Sequence, residues 1–432
     1  MINGYSEVRP RTPTSKGNNV VVLLLAATII NYIDRQTLSV LAPVLLKEFH
    51  ISSLQYSYAV NSFLVVYAVM YLLMGRVLDR VGTRNGLGGA VIWWSLMEML
   101  HATVVGIKTL CVYRALLAIG EAAVVPGGIK AVAEWFDAKQ RSVAVGIFEM
   151  GFSLGPLIAV PLVGWISLRE GWHAAFIWTG LLGLIWVIPW FLFYRSPEIR
   201  TLNQENSLHS RKTPGPMPWG ELFCSKQVWA VGFARLFGDP VWYFYLFWIP
   251  KYLSDSRGLS LKSIAAFAWI PYVASLIGGL AGGVGSSCLV RRGVATVKAR
   301  LYGMSVGAIL VSSGVLCVHF SSLLWVLVVM SIAAFGMMFW GANVDTLPID
   351  LFSPEHAGQT YGFTGLMAAT GGILFTGGTG YVVQHYSYTP VWVASAVMLP
   401  IGIGILFLIL HNPRDQRSEL LPLQKSIRET KS

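Results

Sequence analysis

Apolar residues along this chain fall in long, continuous runs, without the alternation of a half-buried strand or the single stripe of a surface helix. Twelve such runs lie at about 19–45, 55–77, 87–106, 109–133, 142–166, 174–194, 228–252, 263–288, 299–318, 322–344, 358–383 and 389–411. A membrane-spanning helix needs about 20 mostly apolar residues, and irregular backbone cannot face lipid without leaving its polar groups unpaired. Outer-membrane barrel strands would instead show alternating segments of about ten residues. The pattern predicts an all-α polytopic membrane protein with twelve transmembrane helices. The one long polar interruption runs from Arg195 to Gln227 and holds Pro197, Pro214, Pro216 and Pro218. It divides the chain into a cytoplasmic N-terminal segment 1–18, a six-helix bundle 19–194, a cytoplasmic linker 195–227, a second six-helix bundle 228–411 and a cytoplasmic tail 412–432.

Composition agrees with a lipid solvent. Of the 432 residues, 54% are hydrophobic and only 12% charged, about half the charged fraction of a soluble chain. The mean hydropathy is +0.59. A net charge of +11 raises the question of nucleic acid, but the placement of the charge argues against it. Of the 32 Lys and Arg, 22 fall in the segments expected to face the cytoplasm, six in the opposite loops and four within spans. That is the positive-inside bias of a cell-membrane protein with both termini cytoplasmic. The apolar run after Val20 is too long for a signal peptide. Cys111, Cys224, Cys288 and Cys317 are scattered, with neither a disulfide framework nor metal spacing, so no metal or cofactor is expected.

The two halves echo each other. Gly75-Arg-Val-Leu-Asp79-Arg80-Val-Gly82-Thr-Arg84 follows the second run, and Gly283-Val-Gly-Ser-Ser287-Cys-Leu-Val-Arg291-Arg292-Gly293 follows the eighth. Internal repeats around a central cavity are typical of secondary transporters. The Gly75–Arg84 loop resembles the signature loop of the major facilitator superfamily. Within it, the chain is similar to the anion:cation symporter family and its hexuronate and sugar-acid branch. The matching segments begin at Asn31-Tyr-Ile-Asp-Arg-Gln-Thr-Leu-Ser39, Arg114-Ala-Leu-Leu-Ala-Ile-Gly-Glu121 and Lys130-Ala-Val-Ala-Glu-Trp-Phe136. They continue through Gly171-Trp-His-Ala-Ala-Phe176, the segment Asp239–Tyr252 and Pro348-Ile-Asp-Leu-Phe352.

The candidate chemistry lies in charges placed where hydrocarbon excludes them. Asp34 and Arg35 sit near the middle of the first run, and each costs roughly 2.5–3.5 kcal/mol at a helix centre. As neighbours they point about 100° apart, so they do not naturally pair. Arg114 and Glu121 share one face of the fourth run, about two turns (~10.5 Å) apart. Neither can reach the other directly, so each needs a partner elsewhere: Asp34, Arg35 or a ligand. A guanidinium matches a carboxylate with two parallel hydrogen bonds, which makes Arg114 or Arg35 a clamp for an anionic substrate. By resemblance, Asp34 and Glu121 are the proton-coupling groups, Arg35 is a substrate-side or coupling partner, and Tyr67 faces a sugar acid. Further candidates for lining a substrate cavity are Tyr243, Tyr245, Trp248, Trp340, Asn343 and Thr364. With 16 Trp and 17 Tyr in the chain, most aromatics must serve packing or the membrane interface.

Other charges have plainer readings. Gly75, Asp79, Arg80 and Arg84 stand at a cytoplasmic helix end, where the resemblance implies a gate, with Arg141 as a partner. Arg235 and Asp239 are one turn apart and explain each other as an i,i+4 pair. Lys130 and Glu134 are expected to pair or snorkel, and His101 and His173 to be interfacial. Gly151-x-x-x-Gly155-Pro156 suits close helix packing. Glu149 is a further candidate for the substrate site, although it departs from the amide that the family carries there; Glu98 is an unexpected acid in the third run, and Ala118 replaces a usual glycine.

These readings together imply a monomeric, proton-coupled symporter of a small organic anion, a hexuronate or related sugar acid, with its site between the halves. A phosphate or anion antiporter would use arginines from both halves. A membrane enzyme would need a nucleophile–base pair or a metal cluster, and only scattered histidines are found. A sensor would need an added soluble domain.

Overall fold

A computed structural model describes residues 15–136, 138–195, 219–352 and 354–410. Most of the expected N-terminal segment and linker, and the expected tail 412–432, lie outside the described residues. All elements described are helical, with no strand among them. The first eight helices are α1 (Ser15–Glu48), α2 (Ser53–Val81), α3 (Thr83–Leu100), α4 (Ile107–Glu121), α5 (Val124–Trp135), α6 (Ala138–Glu149), α7 (Gly151–Glu170) and α8 (Trp172–Phe193). Then come α9 (Trp219–Cys224), α10 (Lys226–Arg257), α11 (Leu261–Phe267), α12 (Ile270–Arg291) and α13 (Thr296–Ser312). The last are α14 (Leu323–Val344), α15 (Leu347–Leu351), α16 (Pro354–His385) and α17 (Thr389–Leu410).

Each of the twelve predicted runs lies on one helix or on two in succession. Among the described residues, ten of these segments are long and apolar enough to cross a membrane. The other two, α3 and α10, fall short in composition. The first includes Arg84, Asn85, three glycines and Glu98; the second carries Arg235, Asp239, Lys251 and Asp255.

Local sequence explains where the helices start and break. Ser52 and Gln55 form a reciprocal cap on α2: the Gln55 amide donates to Ser52 Oγ (3.2 Å), and the Ser52 amide to Gln55 Oε1 (2.9 Å). Gly82 then ends that helix at φ +82°, a conformation that favours glycine. Three spans break just before a proline. Proline has no N–H for the carbonyl four residues back. Pro126, Pro271 and Pro348 thereby leave Ala122, Phe267 and Val344 without that bond. The junctions of α4 with α5, α11 with α12, and α14 with α15 fall at those residues.

By compactness the described chain forms two units. One takes the residues up to 195 with Leu246–Val273 and Thr379–Tyr386; the other takes 219–245, Ala274–Gly378 and 387–410. In the first unit α1 packs tightly on α7: a Cβ at Gly151 would stand 2.6 Å from Thr28 Cβ, and one at Gly155 would enter Tyr32. The Gly151–Gly155 spacing is thus helix packing. Gly180 and Gly183 of α8 likewise admit Ser95 and Met99 of α3. Residues 246–273 join this unit through polar bonds: Ser39 Oγ and Tyr56 Oη both donate to the Phe247 carbonyl (3.1 and 2.7 Å), and Gln36 Nε2 to Tyr272 Oη (3.1 Å).

In the second unit Trp340 fills the space opened by Gly238 and Gly307. Arg235 bonds Asp239 (3.0 Å), as expected for an i,i+4 pair, and also reaches Asp345 (3.4 Å) under the Tyr361 ring. Arg300 Nε donates to Asp350 (2.9 Å), and its Nη1 to Ser286 Oγ (2.7 Å).

Candidate functional site

The first unit gathers the ionised groups of the first and fourth spans. Arg35 projects from α1, and its Nε and Nη2 both donate to Glu121 Oε2 at the end of α4 (3.1 and 2.9 Å). Nη2 also donates to Asn31 Oδ1, one turn back (3.3 Å). The guanidinium lies 4.6 Å from the Tyr32 ring centroid, 4.7 Å from Tyr67 and 5.0 Å from Phe63. Contact with several ring faces suits a cation withdrawn from water. Glu121 sits where Pro126 interrupts the helix, and both partners of the pair are nearly inaccessible (3% and 0%).

Arg114 also lies against Phe63, 4.5 Å from the ring centroid. It is fully buried, and none of its three side-chain nitrogens has a hydrogen-bond partner. Asp34 is also fully buried, with neither carboxylate oxygen in a hydrogen bond. It lies beside the Trp94 indole and within electrostatic reach of Glu98, Glu121 and Arg114. Asp34 and Arg35 do not pair with each other, as their angular separation requires.

Glu98 of α3, an acid that sequence reasoning left without a place, belongs to this cluster. Thr179 Oγ1 donates to its Oε1 (3.3 Å), and His101 Nδ1 stands 3.8 Å from its Oε2. His101, expected near the membrane face, is not exposed there. It is fully buried, stacked on Phe176 (5.2 Å) and edge-on to Tyr113 (5.8 Å). Its i,i+3 spacing from Glu98 was the available signal. Asn31, Tyr32 and Phe63 were missed too, although each lies within one turn of Arg35 or Tyr67 on its own helix. His173 is exposed against Trp172, as expected.

Glu149 is half-buried as the last residue of α6. The expected residues of the second unit sit in contacts of their own. Tyr245 is buried against Trp392 and Gly314, and Tyr243 packs on Gly372. Asn343 Nδ2 donates to the Phe339 and Gly282 carbonyls (2.8 and 3.4 Å), while Thr364 Oγ1 donates to Tyr361 O (3.2 Å). These contacts, like those of Trp340, are packing and backbone bonding within one unit. Trp248 lies in the first unit, edge-on to Tyr56.

The expected Gly75–Arg84 loop is corrected to the end of α2 and the start of α3, joined at Gly82 alone. There Lys130 Nζ donates to Asp79 Oδ1 (2.6 Å) and to the Leu78 carbonyl (2.9 Å). This replaces the expected Lys130–Glu134 pair: Glu134 instead accepts from Thr83 and Tyr194 (2.5 Å each). Arg84 caps α8 through the carbonyls of Phe191 and Tyr194 (2.7 and 2.9 Å). Arg141 donates to the carbonyls of Phe136 and Ala133 (3.0 and 3.1 Å), not to Asp79. Gly75 has open space where a Cβ would stand, and Arg80 is exposed.

The charge cluster is sealed rather than open to water. A groove of about 410 Å³ lies elsewhere, in the second unit, lined by Ile309, Pro400, Ile403 and Phe407 among others. Its walls are mostly apolar, with Ser305 and Ser312 the polar side chains among them.

Fold and site together define a polytopic helical membrane protein that buries two arginines and three carboxylates in one bundle. A family profile for the Major Facilitator Superfamily matches residues 24–376. The chain belongs to that superfamily, whose members are transporters and not enzymes. It is 30% identical over 404 residues to the hexuronate transporter of Escherichia coli (strain K12), covering 91% of this chain and 94% of that one. It is 34% identical over 274 residues to the galacturonate transporter of Dickeya chrysanthemi, with 61% and 79% covered. In fold it resembles a bacterial homolog of the human lysosomal transporter Spinster, solved in an inward-facing, unoccupied conformation. The TM-score is 0.73 at 19% identity, covering 92% of this chain and 98% of that one.

Proposed function

We propose that this transporter moves a hexuronate or related sugar acid together with protons, by alternating access. The observation that carries the anionic substrate is Arg114: a fully buried guanidinium with no hydrogen-bond partner on any nitrogen. Leaving a charged donor buried and unsatisfied costs more than the ~1–3 kcal/mol of a neutral one. A carboxylate that meets its fork relieves that cost. The names of the relatives supply the sugar acid.

Proton coupling rests on the Arg35–Glu121 pair. While Glu121 is ionised it holds Arg35. A proton on Glu121 frees that guanidinium for the substrate carboxylate, so proton and anion arrive together. Asp34, buried without an arginine bonded to it, is the second proton-coupling group. Tyr67, on the face of Arg35, offers a sugar ring a flat surface. The Gly75–Arg84 segment is read as a cytoplasmic gate, with Asp79 held by Lys130. Both termini are read as cytoplasmic, the working form as a monomer, and the two expected six-helix bundles as its halves.

The test is uptake of labelled galacturonate or glucuronate into proteoliposomes with no internal anion. An inward proton gradient should drive accumulation, and a protonophore should collapse it. Uptake that needs an internal exchange anion would make the protein an antiporter and overturn this reading.

A further inference from the structure

Three carboxylates and two guanidiniums share the sealed interior of the first unit: Asp34, Glu98 and Glu121 with Arg35 and Arg114. Only Glu121 is hydrogen-bonded to an arginine. Arginine does not give up its proton in a protein, so the carboxyl groups must adjust. An uncompensated ion in a low-dielectric interior costs several kcal/mol even after relaxation. Neutrality therefore calls for one proton on the three carboxyls when no substrate is bound. A bound monoanion adds one negative charge and calls for a second.

We propose that Glu98 is a third proton-binding carboxylate of the transport cycle, bonded by Thr179, beside His101, and within the field of Arg114 that Asp34 also feels. This rests on the proton-coupled reading above and extends it to a residue outside that mechanism. Glu98 is fully buried, and its Oε2 has no hydrogen bond. His101 Nδ1 lies 2.8 Å from the Met97 carbonyl, which can only accept, so Nδ1 carries a hydrogen and turns it to Met97. The histidine thus makes no hydrogen bond to Glu98 of the kind that Arg35 makes to Glu121.

A line of side chains also leads from Glu98 towards the surface. Glu98 stands near the end of α3 farthest from the Gly75–Arg84 segment. His101 is in contact with Tyr113, whose hydroxyl lies 3.2 Å from Thr103 Oγ1 on the exposed loop before α4. The charged and titratable groups around Glu98 are Asp34 from α1, Arg114, Glu121 and Tyr113 from α4, and His101 beside it. From α8 comes the neutral Thr179. Tyr56 of α2 acts on Arg114, and α5 brings Lys130 and Glu134 only at the opposite end of α3.

The test is the proton-to-substrate ratio, read from the membrane potential that nulls substrate flux at fixed pH and substrate gradients in proteoliposomes. The wild type should move about one proton per monoanion, the difference between the empty and loaded counts, and Glu98→Gln, which removes the carboxyl that receives it, about one fewer, with substrate still carried. In detergent, proton uptake on substrate binding in weakly buffered solution should fall by about one. Thr179→Val keeps the carboxyl and removes the donor to its ionised form. It should move the pH profile of uptake upward by about half to one unit, as loss of one hydrogen bond implies. This variant also serves if Glu98→Gln does not fold. An unchanged ratio in Glu98→Gln, or an unmoved profile in Thr179→Val, overturns the role of Glu98 while leaving proton-coupled transport standing. A wild type that carries substrate without protons overturns both.

Discussion

At the scale of single residues, the Arg35–Glu121 contact separates charge from shape. Removing one partner of a buried ion pair leaves the other uncompensated, which typically costs about 3–5 kcal/mol. Glu121→Ala should therefore lower thermal stability in detergent markedly. Glu121→Gln keeps an acceptor oxygen for Arg35 and should lose less. Both should abolish gradient-driven accumulation, and Glu121→Gln should retain exchange of internal for external substrate. Full active uptake by Glu121→Gln would remove that residue from the coupling role. Arg114 should behave differently, because it makes no hydrogen bond that a lysine would break. Arg114→Lys keeps the charge and loses the planar fork. It should weaken substrate binding about 10- to 100-fold, the worth of one charge-assisted hydrogen bond of ~1.5–3 kcal/mol, with little change in melting temperature. Substrate-induced thermal stabilisation in a concentration series would measure it. The identities of these ions were legible in the sequence because charge in a span is conspicuous. Their pairing was not: Arg35 and Glu121 are 86 residues apart, and seven-residue spacing within the fourth span showed only that Glu121 and Arg114 needed other partners.

Among the helices, small residues decide which surfaces meet and prolines decide where spans break. Gly155 of α7 stands against Tyr32 of α1, the residue whose ring covers Arg35. Gly155→Val would force α1 and α7 apart at the level of the charge cluster. Overpacking of this kind costs about 1–3 kcal/mol, so melting temperature and uptake should fall together. Gly146 of α6 is the internal control, since a Cβ there meets nothing within 4 Å. Gly146→Ala should raise stability by up to about 1 kcal/mol through helix propensity alone. A loss at Gly146 equal to that at Gly155 would show that packing is not the cause. Each of the twelve apolar runs marked one helix or two in succession, ten of them long and apolar enough to cross a membrane, and the Gly151–Gly155 spacing was readable as packing. Broken spans were less so. A proline within an apolar run marks a break only when the helix restarts around it, as at Pro126 and Pro271, whereas Pro43 and Pro400 lie within continuous helices.

Across the whole molecule, the least legible contacts are those joining segments distant in sequence. The fold class followed from hydropathy, but no local pattern announced that Ser39 and Tyr56 both donate to the backbone carbonyl of Phe247, 208 and 191 residues away. Hydroxyls in a span have no charge to make them conspicuous, and a carbonyl partner leaves no trace in the side-chain sequence. These bonds, with Gln36 to Tyr272, fasten residues 246–273 to α1 and α2 within the first unit. Under the alternating-access reading proposed above, contacts of this kind would be held in one state and released in another, and their worth would set a population as well as a stability. Each net hydrogen bond contributes about 0.5–1.5 kcal/mol. Removing both donors to Phe247 should then shift a two-state equilibrium by roughly 5- to 150-fold. The double variant Ser39→Ala, Tyr56→Phe should increase amide hydrogen exchange in residues 246–257 under native conditions, while exchange in the second unit stays unchanged. Wild-type protection across 246–257 in the double variant would mean that the apolar contact of Tyr56 with Trp248 suffices to hold this segment, and that the two hydroxyls do not bias the cycle.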